Sequence, residues 1–268
     1  MKELFKEYLN KMEHEIKNPA FRFDFIARFV VIWTLVTRIP LPKRMWPKTL
    51  PEGKRVLTVI PLAGGILGLF TGVLITAVNI LGIGQIGSVW IGAAFYAMAG
   101  WSLHLDGWGD LWDGIGSGKS GEKMREIMKD SRVGSYGVTA LIIAFGLWTG
   151  LLLSLGQHQE AAALMVAGGV GRFGTCVAAF YGNYPWPEGM AKGWVDGFDG
   201  YELFTALVCT LVLLPFAPFE WLLSLILVSL FALCTAQRMN NKLGGVNGDV
   251  LGAVAVAGEL ISLAVFAL

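Results

Sequence analysis

The sequence predicts an all-α, polytopic membrane bundle, and three observations carry that prediction. Of the 268 residues 54% are hydrophobic and 15% charged, against about 25% charged in a soluble domain. The mean hydropathy is +0.59, and the apolar residues are gathered into runs near the 20 residues or so that a spanning helix requires. Glycine (35) and tryptophan (10) are abundant, as expected where glycine enters spans and tryptophan marks the interface. The formal net charge of +1 excludes a nucleic-acid binder working through a strongly basic face. Cys176, Cys209 and Cys234 lie in apolar stretches without paired spacing. They suit neither a disulfide framework nor a zinc cluster, and are expected to be packing residues.

Taken in order, residues 1–17 carry an apolar stripe of Leu4, Phe5, Tyr8, Leu9, Met12 and Ile16 that stops at Asn18-Pro19. This predicts an amphipathic helix over the N-terminal 1–25 segment, without a signal-peptide pattern. It would lie on the cytoplasmic membrane surface or pack on the protein's own cytoplasmic face or another subunit. The integral membrane domain is expected over 26–268. Its first apolar run, Ile26 to Ile39, has 14 residues, contains Arg28 and Arg38, and meets Pro40 and Pro42. That length suits a short interfacial or re-entrant helix rather than a crossing.

About seven spans follow, at 56–81, 86–105, 133–156, 161–182, 203–217, 219–235 and 250–268. The fifth and sixth are short and read equally as one helical hairpin split at Pro215 and Pro218. Connectors 40–55 and 106–132 hold five Lys/Arg residues each, 183–202 holds one and 236–249 two, whereas 82–85, 157–160 and 218–220 hold none. The positive-inside rule therefore makes the first group cytoplasmic.

Polar chemistry collects on that side. Asp106, Asp110 and Asp113 stand at i, i+4 and i+7 in WSLHLDGWGDLWDG, so a continuous helix places all three on one face, with Trp108 and Trp112 pointing elsewhere. Like charges at this spacing destabilise a helix. A divalent cation would offset the repulsion, and an all-oxygen site favours Mg2+, Mn2+ or Ca2+. A solvated acidic helix end and an ion-transport site are the competing readings. Lys129, Asp130, Ser131 and Arg132 follow before the third span. Acid beside Lys, Ser and Arg suits a phosphate-bearing substrate bridged by metal. GIGSGKS imitates a phosphate-binding loop, but Asp113 occupies its first glycine position and a helix rather than a strand precedes it. Arg172, inside the fourth span, needs an anionic partner, either a carboxylate or a substrate phosphate. Glu259 is a candidate for that partner. Asn247 and Asp249 open the last span, and His104 stands two residues before the acidic face, where a structural role competes with a substrate-binding one.

HLDGWGDLWDG at 104–114 followed by EIMKDSRVGSYG at 126–137 closely resembles the signature of the cobalamin synthase family, adenosylcobinamide-GDP ribazoletransferase. TRIPLP at 37–42, PLAGGILG at 61–68, GR at 171–172 and NGDVLGA at 247–253 resemble further parts of its pattern. NGD stands where TGD is expected. The resemblance implies a multi-pass enzyme of the prokaryotic cytoplasmic (inner) membrane with its active site facing the cytoplasm. It would join α-ribazole or its 5′-phosphate to adenosylcobinamide-GDP, releasing GMP. Partners implied are those two substrates and the lipid bilayer, with a homo-oligomer or a biosynthetic membrane complex as a further expectation.

Under that reading Asp106, Asp110 and Asp113 hold Mg2+ (or Mn2+). Lys129, Ser131, Arg132, Arg172, Asn247 and His104 bind substrate, and Asp130 is the general base with Asp249 as the alternative. Asp110-x-x-Asp113-Gly114 also resembles the opening of the CDP-alcohol phosphotransferase motif, but Gly116-Ser117 and the single Asp130 depart from the rest of it. A phospholipid-synthesising transferase is thus the runner-up. A solute transporter comes third, because the non-cytoplasmic halves of the spans carry almost no ionisable residues.

Overall fold

A computed structural model describes Asn10, residues 19–156 and residues 159–268 of the chain. Apart from Asn10, the expected helix over 1–17 lies outside the described residues. Every regular element among the described residues is helical. Six helices are long and apolar enough to cross a membrane: Gly53–Ile83, Gln85–Gly116, Ser135–Leu153, Glu160–Tyr181, Pro218–Lys242 and Gly248–Phe266. The chain is a multi-pass membrane protein.

Two expectations about boundaries change. The segment expected to span at 203–217 is a shorter apolar helix, Gly200–Phe216. It is α-helical to Thr210 and then tightens into a 3-10 turn containing Pro215. Ala217 breaks the path at φ −162°, and Pro218 starts the next helix at a position where its missing N–H costs nothing. The run placed at Ile26–Ile39 belongs to a helix that begins earlier and ends sooner, α1 (Pro19–Val36). Val30, Ile32, Trp33 and Val36 of α1 are buried, and the Trp33 indole N–H closes its end on the Ile39 carbonyl at 2.9 Å. Arg28, which had argued against burial, is buried in an ion pair with Asp24 one turn earlier.

The remaining elements are α2 (Gly53–Leu57), α3 (Ile60–Val78), α4 (Gln85–Tyr96), α5 (Ser102–Gly116), α6 (Glu122–Met128), α7 (Ser135–Leu153), α8 (Glu160–Tyr181), α9 (Lys192–Val195), α10 (Gly200–Thr210), α11 (Pro218–Lys242) and α12 (Gly248–Phe266). α8 is the central post: 94% of its apolar window is buried inside the protein, against 28% for α11, which therefore faces lipid. The sequence of α8, EAAALMVAGGVGRFGTCVAAFY, explains this. Small residues on several sides let neighbouring backbones approach, the main route to tight helix pairing where lipid supplies no hydrophobic drive. α3, α11 and α12 all pack on it. The α3–α8 contact is backbone to backbone: a Cβ on Gly64 would meet the Gly168 carbonyl oxygen at 2.1 Å, and one on Gly68 the Leu164 carbonyl oxygen at 1.9 Å.

A side chain at Gly68 therefore forces α3 off α8. Gly68→Val should cost about 1–3 kcal/mol or more, as overpacking does. It should appear as a lower Tm and a smaller monodisperse fraction in detergent. Gly146→Ala, with nothing within 4 Å of its Cβ position, should keep or raise the Tm.

Candidate active site

The acidic face forms as the spacing predicts, because α5 runs without interruption from Ser102 to Gly116. Trp108 and Trp112 point away from it: their rings pack edge to face at 5.5 Å, and the Trp108 indole N–H donates to the Ala140 carbonyl of α7 at 2.9 Å. Between Asp106 and Asp110 stands Gly107, and its lack of a side chain decides what sits opposite. A Cβ there would lie 2.8 Å from the Asp249 Cα, so the first turn of α12 rests directly on the α5 backbone. The contact brings Asp249 to the acidic face, where the charges of Asp249, Asp106 and Asp113 all bear on Asp110.

Asn247 fixes the start of α12. Its Oδ1 accepts from the Val250 N–H at 3.1 Å as an N-cap, and its Nδ2 donates to Asp249 Oδ2 at 2.7 Å. Asparagine is among the best N-cap residues, so the NGD sequence caps the helix and orients the following carboxylate with one side chain. Asp113 has a different partner set. Its two oxygens accept from the backbone N–H groups of Gly134 at 2.7 Å and Gly137 at 2.8 Å. It thereby holds the KDSRVGSYG turn and satisfies donors at the start of α7 that lack helical partners.

Beside this junction lies a cavity of about 360 Å3. Its lining includes Asp106, His104, Asn247 and Asp249, Arg125 and Lys129 from α6 and its C-cap, and Tyr184, Trp186, Glu188 and Trp194 from the 183–199 connector. Lys129 acts electrostatically on Asp249. Apolar residues of α1 and α2 (Ile32, Leu35, Val36 and Leu57) close the floor. His104 is buried, with no hydrogen-bond partner at Nδ1.

Of the residues singled out in the sequence, Asp106, His104, Lys129, Asn247 and Asp249 line this cavity, with Asp110 next to it on the acidic face. The others do not line it, Asp113 among them. Asp130 and Arg132 form an exposed pair on the turn after Lys129, Arg132 Nη2 donating to Asp130 Oδ2 at 2.7 Å and Nε to Oδ1 at 3.1 Å. The side-chain and backbone hydrogen bonds from Arg132 hold the Asp130 carboxyl down at about 2, and Asp130 raises the Arg132 guanidinium in return. Ser131, between them, is exposed. Arg172 is fully buried in α8, its Nη1 donating to Glu259 Oε1, to the Gly168 carbonyl at 3.0 Å and to the Tyr96 hydroxyl at 3.2 Å. The Tyr96 hydroxyl in turn donates to Glu259 at 2.8 Å. Of the two partners left open for Arg172, the carboxylate is the one present.

Arg125, Tyr184, Trp186, Glu188 and Trp194 were missed. For Tyr184, Trp186 and Glu188 the available signal was the NYPWPEGMA stretch, in which Trp186 stands between two prolines on the side marked by basic connectors; Arg125 and Trp194 carried no such signal.

Among the described residues no three His, Cys, Asp or Glu side chains are grouped closely enough to make a ready metal cage. The donor set nevertheless suits a hard cation, since Mg2+ is usually bound by one or two carboxylates and completed by substrate phosphates and water. Asp106, Asp110 and Asp249 are the side chains able to provide those one or two.

The family model described as Cobalamin-5-phosphate synthase matches residues 28–267. The chain is 36% identical over 251 residues to the adenosylcobinamide-GDP ribazoletransferase of Bradyrhizobium diazoefficiens, covering 91% of this chain and 94% of the relative. It is 31% identical to the protein of that name from Fusobacterium nucleatum, covering 89% and 96%, and 30% identical to that from Escherichia coli, covering 88% and 97%. No solved structure gives a significant match.

The geometry assigns Arg172 to stability. Removing one partner of a buried ion pair leaves an uncompensated charge at about 3–5 kcal/mol. Arg172→Met should lower the Tm accordingly, and Arg172→Met/Glu259→Leu should recover most of the loss. A double variant no more stable than the single one would contradict this.

Proposed function

The chain belongs to the Cobalamin-5-phosphate synthase family, and from that premise we propose that it joins α-ribazole, or its 5′-phosphate, to adenosylcobinamide-GDP with release of GMP, a late step of cobalamin synthesis. The observation that carries this reading is the cavity itself. Carboxylates of two helices, Asp106 and Asp249, and the cations Arg125 and Lys129 line one space of about 360 Å3. Such a pairing suits a diphosphate, whose oxygens need positive charge, next to a hydroxyl, whose proton needs an acceptor.

In the reaction the ribose 3′-hydroxyl oxygen bonds to the phosphorus attached to cobinamide. The bond from that phosphorus to the bridging oxygen breaks, and its electron pair leaves with GMP. Lys129 holds diphosphate oxygens as a point charge, and Arg125, whose Nη1 also donates to Glu122 at 3.1 Å, adds a second positive charge. Asp249 accepts the hydroxyl proton. It lines the cavity and is oriented by Asn247, whereas Asp130 is tied to Arg132 on the exposed turn. Asp106 and Asp110 would hold Mg2+, or Mn2+, against the substrate phosphates. When bound there, such a cation would supply neutralisation of charge on the departing phosphate. Asp113 adds its charge to this face while anchoring α7.

The basic connectors 40–55 and 106–132 both contribute to the cavity end of the bundle. This supports an inner-membrane protein whose site opens to the cytoplasm.

Purified protein in liposomes should release GMP from adenosylcobinamide-GDP and α-ribazole phosphate only with Mg2+ or Mn2+ present. CMP release from CDP-linked lipids, without GMP release, would instead favour the phospholipid branch. Loss of general-base assistance typically costs about 10²–10⁴-fold, so Asp249→Asn should lose kcat by that order. Asp130 behaves differently with pH. With its carboxyl at about 2, below its unfolded value, whatever stability it contributes is present above that unfolded value and fades only as pH falls towards 2. Asp130→Asn should therefore leave kcat and its pH dependence above pH 5 unchanged. A kcat loss of about 10²-fold or more in Asp130→Asn would return the base role to Asp130.

A further inference from the structure

The connector 183–199 supplies the side of the cavity that phosphate chemistry leaves unused. Trp186 stands between Pro185 and Pro187, whose rings restrict the backbone on both sides of it. The turn is closed by the Tyr184 hydroxyl donating to the Glu188 carbonyl at 3.4 Å. Tyr184 and Trp186 meet edge to face with centroids 5.8 Å apart, so the indole is held by its neighbours before any ligand arrives. The Arg125 guanidinium lies over the Trp186 ring at 4.3 Å, with Lys129 Nζ at 5.9 Å. Arg125 covers one part of the ring, and Trp186 is still only half-buried and lines the cavity, so the indole surface it leaves open is one on which a planar heterocycle stacks. Beside it, in the same lining, stands the Glu188 side chain, which is exposed and makes no ion pair among the described residues.

An aromatic face alone would accept any base. A carboxylate in the same cavity lining narrows the choice, because an ionised carboxylate only accepts hydrogen bonds. Among planar bases, guanine offers two adjacent donors on one edge, N1–H and the exocyclic amino group, which together match the two oxygens of a carboxylate. A benzimidazole substituted on nitrogen by ribose offers no donor at all. Resting on the reading of the cavity as the site of transfer from adenosylcobinamide-GDP, we propose that Trp186 and Glu188 seat the guanine of the departing nucleotide, Trp186 by stacking and Glu188 by accepting from the two-donor edge. Arg125 and Lys129, which lie over the Trp186 ring, then stand next to the base to take the diphosphate, and Lys129 also acts on Asp249. Binding energy from a base remote from the reacting phosphorus would serve to place that phosphorus before Asp249.

The test is equilibrium binding of GDP and of IDP, which lacks the exocyclic amino group, to the full chain in nanodiscs with Mg2+, followed by tryptophan fluorescence and calorimetry. The same preparations are assayed for turnover with varied α-ribazole phosphate. The unaltered protein should bind GDP about tenfold or more tighter than IDP, since each charged hydrogen bond lost leaves its carboxylate partner unpaired. Glu188→Gln should bring the two affinities close together, and Trp186→Ala should weaken both about tenfold or more. Trp186→Phe, which keeps a stacking face, should recover most of the loss. Neither Glu188→Gln nor Trp186→Ala should alter the KM for α-ribazole phosphate.

A raised KM for α-ribazole phosphate with unchanged GDP affinity would overturn the proposal and give the aromatic face to the acceptor's base. Equal GDP and IDP affinities in the unaltered protein would overturn the role of Glu188. Normal GMP release in the presence of either result would leave the transfer reaction standing. A protein that binds GDP with these preferences yet transfers nothing would instead refute the transfer reaction.

Discussion

The site depends on one close contact, the first turn of α12 resting on Gly107 of α5. A helix carrying three carboxylates on one face is self-repelling, and an ordinary side chain between them would keep any neighbour at the usual interhelical distance of about 8–10 Å. With glycine there, the α12 backbone comes within van der Waals reach. The dipole at its N-terminus then carries partial positive charge to that face, up to about half an elementary charge. Asp249 arrives with it, held by Asn247. Thus the same contact that partly offsets the repulsion also supplies the carboxylate best placed to act on a substrate hydroxyl.

The rest of the bundle maintains that contact. α12 packs along α8 as well as α5, and α8 is itself clamped to α3 through glycine-to-carbonyl contacts. The buried group of Arg172, Glu259 and Tyr96 ties α8, α12 and α4 together. An arginine and a glutamate within spans would ordinarily suggest a transport path. Here they satisfy each other across a helix interface and stand apart from the cavity lining. The chemistry-bearing side chains gather at one end of the bundle, as a one-sided enzyme requires.

Much of this was legible in the sequence, for identifiable reasons. The i, i+4, i+7 spacing of Asp106, Asp110 and Asp113 defines a face wherever a helix is continuous, and composition made that helix secure. The Lys/Arg asymmetry of the connectors marked the end of the bundle where the cavity lies. What stayed hidden needed tertiary contacts. Asp113 and Asp110 are alike in sequence, and only the Gly134 and Gly137 N–H groups separate their roles. Asp130 stood out as a carboxylate that a metal on the acidic face would leave free to accept a proton, but Arg132, two residues on, claims it. The start of α1 at Pro19 was missed because polar residues before Ile26 mask the helix. The aromatic connector was missed because its residues have no periodicity to reveal them.

Mn2+ binding read by its EPR signal, with and without GDP, in the unaltered protein and in Asp106→Asn, addresses the central claim most directly. The claim is that carboxylates of this face and substrate phosphates share one cation. One Mn2+ should bind tightly when GDP is present, weakly when it is absent, and weakly in Asp106→Asn even with GDP. Tight binding that is indifferent to GDP, or that survives in Asp106→Asn, would contradict the account.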